Sequence, residues 1–283
     1  MPASTMRDGY RFHRPPLHGD LEVVHGLRVQ RQLDVHLHSK YEIAVVADGG
    51  ARFDVRGVPV HVTGGSVLVV NAGDPHAVRS DDGGCSFSLL YVPEERMASA
   101  ANQAGHGDAP PVFAPRALHD PDLAGIVLEL NDALEREAPA DTVEALLEAV
   151  LVRLLDRAHV QAESCEPRNE RIARARQFID EHYAESIAID ELAALAGFSK
   201  FHFIRIFREA YGMPPHAYQN AIRIARAREA LASGRSAAEV AQETGYADQS
   251  HFTRRFKRLV GVAPGEYSRW CAARARRQRT ADA

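Results

Sequence analysis

Residues 236–267 read SAAEVAQETGYADQSHFTRRFKRLVGVAPGEY, and their spacing decides the architecture of the C-terminal half. Ser236 with Glu239 is a capping box that opens a helix, and Gly245 is placed to end it. A trailing helix over Asp248–Val260 then carries Phe252 and Phe256 four residues apart, on one face. Helix, glycine turn and second helix make a helix-turn-helix unit. The pattern is duplicated. Phe203, Arg205, Phe207, Gly212, Pro215 and Tyr218 recur 49 residues later as Phe252, Arg254, Phe256, Gly261, Pro264 and Tyr267. Ala193, Gly197 and Phe198 recur 48 residues later as Ala241, Gly245 and Tyr246.

In the first copy the trailing helix runs about Ser199–Tyr211, with Lys200, Phe201, Ile204 and Arg205 largely opposite the phenylalanine pair. Gln249, Ser250, His251 and Arg254 hold the matching places in the second copy. Arginine pairs with guanine and glutamine with adenine in the major groove, so these eight residues are the candidate DNA contacts. His216–Leu231 predicts a connecting helix about 24 Å long at ~1.5 Å per residue. Such a rod can set two recognition helices in successive major grooves, ~34 Å apart. Arg223, Arg226 and Arg228 on it read as phosphate contacts or solvated charges.

Net charge agrees. Residues 168–283 hold 20 basic and 13 acidic side chains, net +7, whereas residues 1–167 carry −11 within a total of −4. The basic half implies double-stranded DNA as its partner. Apolar runs such as Ser66–Val70 fall far short of the ~20 residues a membrane span needs. Met1–Tyr10 has no apolar leader segment, so a cytoplasmic location is expected. Cys85, Cys165 and Cys271 are too scattered for a disulfide framework or a zinc knuckle.

The acidic half opens with short β-rich runs across residues 20–95, which predict a sandwich or small barrel. Asp48-Gly49-Gly50 and Asp81-Asp82-Gly83-Gly84 read as turns between them, and Gln103–Arg116 as an irregular connection. Asp120-Pro121 starts a helix with an apolar stripe from Leu123 to Leu134. Asp141 with Glu144 resembles a capping box before a second stripe, Val143–Leu155. These two helices are expected to pack on the β layer and to relay a signal or form a homodimer. The fold class is therefore α+β in two domains. Residues 1–118 form the β domain, 119–160 the helical segment, 161–167 a linker, and 168–283 an all-α domain.

Chemistry gathers at His36, His38 and Glu42, which share parity in an extended strand and so face one side. His76 follows Gly65 and Asn71-Ala-Gly73-Asp-Pro.

Residues 168–270 resemble the paired helix-turn-helix domain of AraC/XylS-type transcriptional regulators. The carrying residues are Leu192-Ala193, Ala196-Gly197-Phe198-Ser199, Phe203, Arg205, Phe207, Gly212, Pro215 and Tyr218, with the denser second copy ending at Tyr267. Ala188 stands where a Ser or Thr cap is common, and Ile204 where a polar base-reading side chain is frequent. The N-terminal pattern resembles the two cupin motifs, with Asn71 in place of a proline and Ser80 in place of an asparagine. This second resemblance implies His36, His38, Glu42 and His76 as effector-binding residues and as ligands for a divalent transition metal, Zn, Fe, Mn or Ni. Together the two imply a DNA-binding regulator whose cupin-like domain senses a small molecule. A homodimer, and RNA polymerase if it activates, complete the expected partners. The alternative is a metal-dependent cupin enzyme fused to a DNA-binding domain.

Overall fold

Strand-forming residues in the first 93 positions build one antiparallel sheet, and the computed structural model describes it within residues 9–13, 15, 18–157, 160–161 and 170–272. Its strands are β1 (Gly9–His13), β2 (Glu22–Val29), β3 (Gln32–His36), β4 (Lys40–Val55), β5 (Val58–Thr63), β6 (Ser66–Val70) and β7 (His76–Pro93). Two of them are long enough to serve both halves of the sheet. The first half of β4 pairs with β6 and with the second half of β7, while its second half pairs with β5 and with the first half of β7. β2 and β3 flank the two halves of β7.

The glycine clusters read as turns are therefore corrected: both lie inside these long strands. Register shifts mark two irregularities: at Val46/Asp48 β4 carries an extra residue opposite Phe87 and Ser86, and at Gly49/Ala51 the extra residues, Asp81 to Gly84, belong to β7. Gly49 has φ +77, and a Cβ there would collide with the Gly84 carbonyl oxygen. A bulge uses glycine's freedom to bend a strand while keeping its partner. The run around His36 is also broken, because β3 ends at His36 and β4 begins at Lys40.

After β7 come α1 (Glu94–Gln103), β8 (Val112–Phe113), β9 (Leu118–His119), α2 (Pro121–Glu135), α3 (Ala140–Arg157) and β10 (Val160–Gln161). Asp120 caps α2 as expected, its carboxylate accepting the Leu123 N–H at 3.0 Å. Helix α3 begins before Asp141, so the expected capping box does not form; Glu144 instead accepts from Arg96 at 2.9 Å. Alternation divides each strand between two cores. Ile43, Val45, Val67, Val69, Leu90 and Val92 face α1–α3. Ala44, Val46, Leu68, Val70, Leu89 and Tyr91 face the interior.

The C-terminal helices are α4 (Glu170–Glu181), α5 (Ile189–Ala196), α6 (Lys200–Tyr211), α7 (Pro215–Ala232), α8 (Ala237–Glu243), α9 (Gln249–Val260) and α10 (Pro264–Ala272). Ser236 and Glu239 form the predicted capping box of α8. Ala188, at the start of α5, makes no side-chain cap. Phe203, Phe207, Phe252 and Phe256 are fully buried. The second unit shares a continuous core with the interior of the sheet, where Phe12 stacks on Trp270 at 5.1 Å. Most of the linker at 161–167, Cys165 and the basic tail Arg274–Arg279 lie outside the described residues.

Candidate functional site

The duplicated units present two exposed helix faces. Lys200, Phe201 and Arg205 on α6, and Gln249, Ser250, His251 and Arg254 on α9, are all exposed; Ile204 is half-buried against the first unit's core. Phe201 is 82% exposed, an unusual cost for an aromatic ring that nothing covers. Asp248 caps α9 by accepting the His251 N–H at 2.7 Å, which fixes the helix end carrying Gln249 and Ser250. The His251 ring packs edge-on to Tyr246 at 5.4 Å. Lys200 lies 3.1 Å from Asp190 and Arg205 3.9 Å from Glu209, exposed pairs that cost little to exchange for phosphate.

Inside the sheet, His38, Glu42 and His76 meet. One ligand atom from each lies within 4.8 Å of the others, and all three residues are buried. His36 lies beside them, its ring tilted and 4.2 Å from that of His76, but outside this set. Their shared face does not come from one strand: His36 ends β3, His38 sits in the β3–β4 loop, Glu42 is on β4 and His76 starts β7. Each imidazole is oriented by a backbone carbonyl. Nδ1 of His36 donates to Asp34 O at 2.9 Å, that of His38 to Lys40 O at 2.6 Å, and that of His76 to Asp74 O at 3.0 Å. A carbonyl only accepts, so each Nδ1 carries a proton; burial shifts His36 and His76 toward the neutral form, in which Nε2 keeps its lone pair.

His38 and His76 turn their Nε2 atoms toward a carboxylate. His38 Nε2 lies 3.2 Å and His76 Nε2 3.8 Å from Glu42 Oε2, which also accepts from the Tyr91 hydroxyl at 2.8 Å. Among the described residues, Glu42 Oε1 and His76 Nε2 are buried without a hydrogen-bond partner. Burial opposes charge on Glu42, but the hydrogen bond with His38 and the adjacent imidazoles outweigh it and hold the carboxyl well below its usual range. Burial, with His38 beside it, pushes His76 down to about 4, and His36 is lowered for the same reason. Imidazole nitrogens gathered at an ionised carboxylate with one unsatisfied oxygen form a donor set that fits a cation.

Residues 19–155 match the AraC-like ligand binding domain, and residues 192–269 match a helix-turn-helix domain. The chain belongs to the AraC family of transcriptional regulators. Similar members are the HTH-type transcriptional regulator YbfI of Bacillus subtilis, 28% identical over 84% of this chain and 86% of that protein. The HTH-type transcriptional activator RhaS of Escherichia coli is 25% identical over 83% and 87%. Among solved structures, an apo single-residue variant of ToxT from Vibrio cholerae superposes with a TM-score of 0.59 at 15% identity, covering 88% of this chain and 97% of that one. Wild-type ToxT bound to an unsaturated fatty acid gives 0.54 at 15% identity, over 94% and 98%. These two establish the shared fold.

In this AraC-family chain the two parts are joined by side chains that the sequence reading assigned elsewhere. Arg228 does not reach outward from α7 as expected: it lies largely buried against the sheet, its Nη2 donating to Glu22 Oε1 at 2.5 Å. Its guanidinium lies 5.0 Å from the centre of the Tyr91 ring, while the family's signature Tyr267 donates to Glu22 Oε2 at 3.3 Å. Burial works against the Arg228 charge, and Glu22 and the two tyrosines outweigh it. Arg223 is half-buried and turned back onto the protein, donating to Tyr183 O at 2.6 Å, Glu185 O at 2.8 Å and Gly245 O at 3.0 Å. Arg226 alone of the three keeps an exposed setting, 3.6 Å from Glu229. Glu22, Tyr91 and Arg228 are thus functional candidates that sequence motifs missed. A glutamate in a β-rich run is the one local hint that Glu22 has a buried partner.

Space separates the two kinds of ligand. The cavity beside His38 and Tyr91 measures about 30 Å³, and another beside His36 about 10 Å³. That is room for a water or an ion, not an organic effector. A far larger cavity, about 640 Å³, lies between the sheet and the helix-turn-helix units.

Proposed function

We propose that this regulator responds to a divalent transition metal, Zn, Fe, Mn or Ni, held by His38, Glu42 and His76, with His36 supporting the site. The carrying observation is that two buried imidazole Nε2 atoms, each ring set by a carbonyl at Nδ1, converge on a buried carboxylate, with His76 Nε2 and Glu42 Oε1 unsatisfied. A cation bound there would satisfy those atoms and balance the carboxylate. Two imidazoles and a carboxylate suit these metals, with water completing the coordination.

The protein's own residues carry the consequence. Tyr91 orients Glu42 through its hydroxyl and supports Arg228 on its ring, and Arg228 binds the DNA-reading half to Glu22. The setting of one carboxylate thereby reaches the helix that joins the two recognition units. Regulation requires that the cation favour one docking state over the other.

We read the centre as a sensor and not a catalyst, because the adjoining space excludes an organic substrate. Acting on DNA, the protein works in the cytoplasm. A homodimer is read through α2 and α3, where Leu128 and Val152 are exposed, and RNA polymerase contact follows if promoter occupancy activates.

The test is to strip the full chain with chelator, titrate each metal against a chromophoric competitor, and measure DNA affinity before and after. One equivalent should bind, and His76→Ala should weaken binding at least ~10-fold. Failure of all four metals to bind stoichiometrically would overturn the reading.

A further inference from the structure

We propose that Glu22 is a positioning residue for the second recognition helix: the sensor supplies the acid that completes the second helix-turn-helix unit, whereas the first unit supplies its own. The inference does not depend on the metal centre.

A correspondence between α4 and α7 carries it. Ile172, Ala175 and Ile179, buried on α4, recur 52 residues later as Ile224, Ala227 and Leu231, buried on α7. The same shift places Arg176 on Arg228 and Asp180 on Ala232. In the first unit Arg176 donates to the Tyr218 hydroxyl at 3.1 Å and to Asp180 at 3.3 Å, and Tyr218 donates to Asp180 at 2.9 Å. Arginine, tyrosine and acid close on one another within that unit. In the second, Arg228 lies 5.9 Å from the centre of the Tyr267 ring, and alanine stands where the acid would be. Glu22 of β2 fills the role, one oxygen accepting from Arg228 and the other from Tyr267.

The buried clusters divide the same way. That of the first unit takes Leu37 as its one buried sensor residue among the described residues, whereas that of the second is continuous with the sheet interior. Tyr267 packs edge-on against Phe256 at 5.6 Å, on the buried side of α9, so the acceptor of Tyr267 bears on how that helix is seated. Asp34 of β3 holds Arg258 in the last turn of α9 at 2.7 Å. Arg176 is exposed and water can replace its acid, but Arg228 is largely buried and depends on its countercharge. Undocking of the sensor therefore leaves the first unit reading and slackens the second.

The probe is a duplex selected from a random pool by the full wild-type chain. Its two half-sites are assigned by the base preferences that Arg205→Ala and Arg254→Ala relax, and each is then scrambled in turn. By fluorescence anisotropy the wild type should lose at least ~10-fold in affinity with either half-site scrambled. Glu22→Gln should become indifferent to the α9 half-site, to within about twofold, and keep its ~10-fold response to the α6 half-site. Amide exchange should quicken in α9 and α10 but not in α5 and α6. Arg228→Met removes the guanidinium that needs the acid, so adding Glu22→Gln to it should leave both responses intact. Equal loss of both responses in Glu22→Gln, or an unchanged response to the α9 half-site, would overturn the proposal. If the single variant does not fold, the double variant decides: a retained α9 response supports the proposal and a lost one overturns it.

Discussion

Arg254 extends from the exposed face of α9 with no carboxylate partner among the described residues, so its charge is available to a base edge. Arg254→Ala should cost about 1–3 kcal/mol of operator affinity and relax preference at one base pair, measured by fluorescence anisotropy on a site and its single-base variants. A uniform loss across all variants would make it a phosphate contact instead. Asp120 caps α2 in the sensor half and is also held by Arg153 at 2.8 Å. Asp120→Ala should destabilise the chain by at least about 1 kcal/mol in urea titration, through the lost cap on Leu123 together with the lost ion pair. The recognition-face residues were legible before any coordinates because periodicity alone separates them from the buried phenylalanines. Arg223 and Arg228 were not. Their charge is visible in the sequence, but Glu22 lies 206 residues away from Arg228 and no local pattern links them.

Glycines that look alike in sequence act differently in the elements they join. Gly197 and Gly245 both hold positive φ, +64 and +77, in the turns of the two units. A Cβ at Gly197 meets only the end of the Arg171 side chain, which can move, whereas one at Gly245 meets the Ala184 backbone carbonyl. Gly197→Ala should therefore cost about 1 kcal/mol and Gly245→Ala at least about 2, compared by urea unfolding. Equal costs would show that backbone conformation, not the close approach, sets the penalty. The same ambiguity misled the reading of the sheet. Positive φ serves a turn or a bulge equally, and only the pairing of β4 with β7 shows that Gly49 and Gly84 bend strands rather than end them. Helix α1 fills the stretch between the last β-rich run and the connection at Gln103–Arg116, to which no element was assigned. Its signal was present: Glu94 and Glu95 in the first turn, and Met97 and Ala101 four apart on the buried side.

Across the whole molecule, one buried ion pair fastens sensor to reader. Glu22→Gln would leave Arg228 buried without a countercharge, a loss of about 3–5 kcal/mol in comparable pairs. The expected outcome is separation of the two halves, seen as a larger radius of gyration in small-angle scattering and faster amide exchange in β2 and α7. DNA affinity should then stop responding to metal. Tyr91→Phe should keep metal binding within about threefold yet shrink the metal-dependent change in DNA affinity; an undiminished change would place the coupling elsewhere. The fold class could be read from sequence because each half follows its own periodicity. The fastening could not, since it depends on how two separately patterned halves meet.

That fastening bears on building hybrid regulators. Arg228 belongs to the portable, DNA-reading half, but its countercharge belongs to the sensor. A chimaera that moves residues 170–272 onto an unrelated sensor would import an orphan guanidinium, and also a Tyr267 hydroxyl lacking its present acceptor. Compatible donors of a new sensor should be recognisable by an acid at the position matching Glu22 and an aromatic ring at that matching Tyr91. Where these are missing, Arg228→Met should rescue assembly of the hybrid while leaving both recognition faces intact.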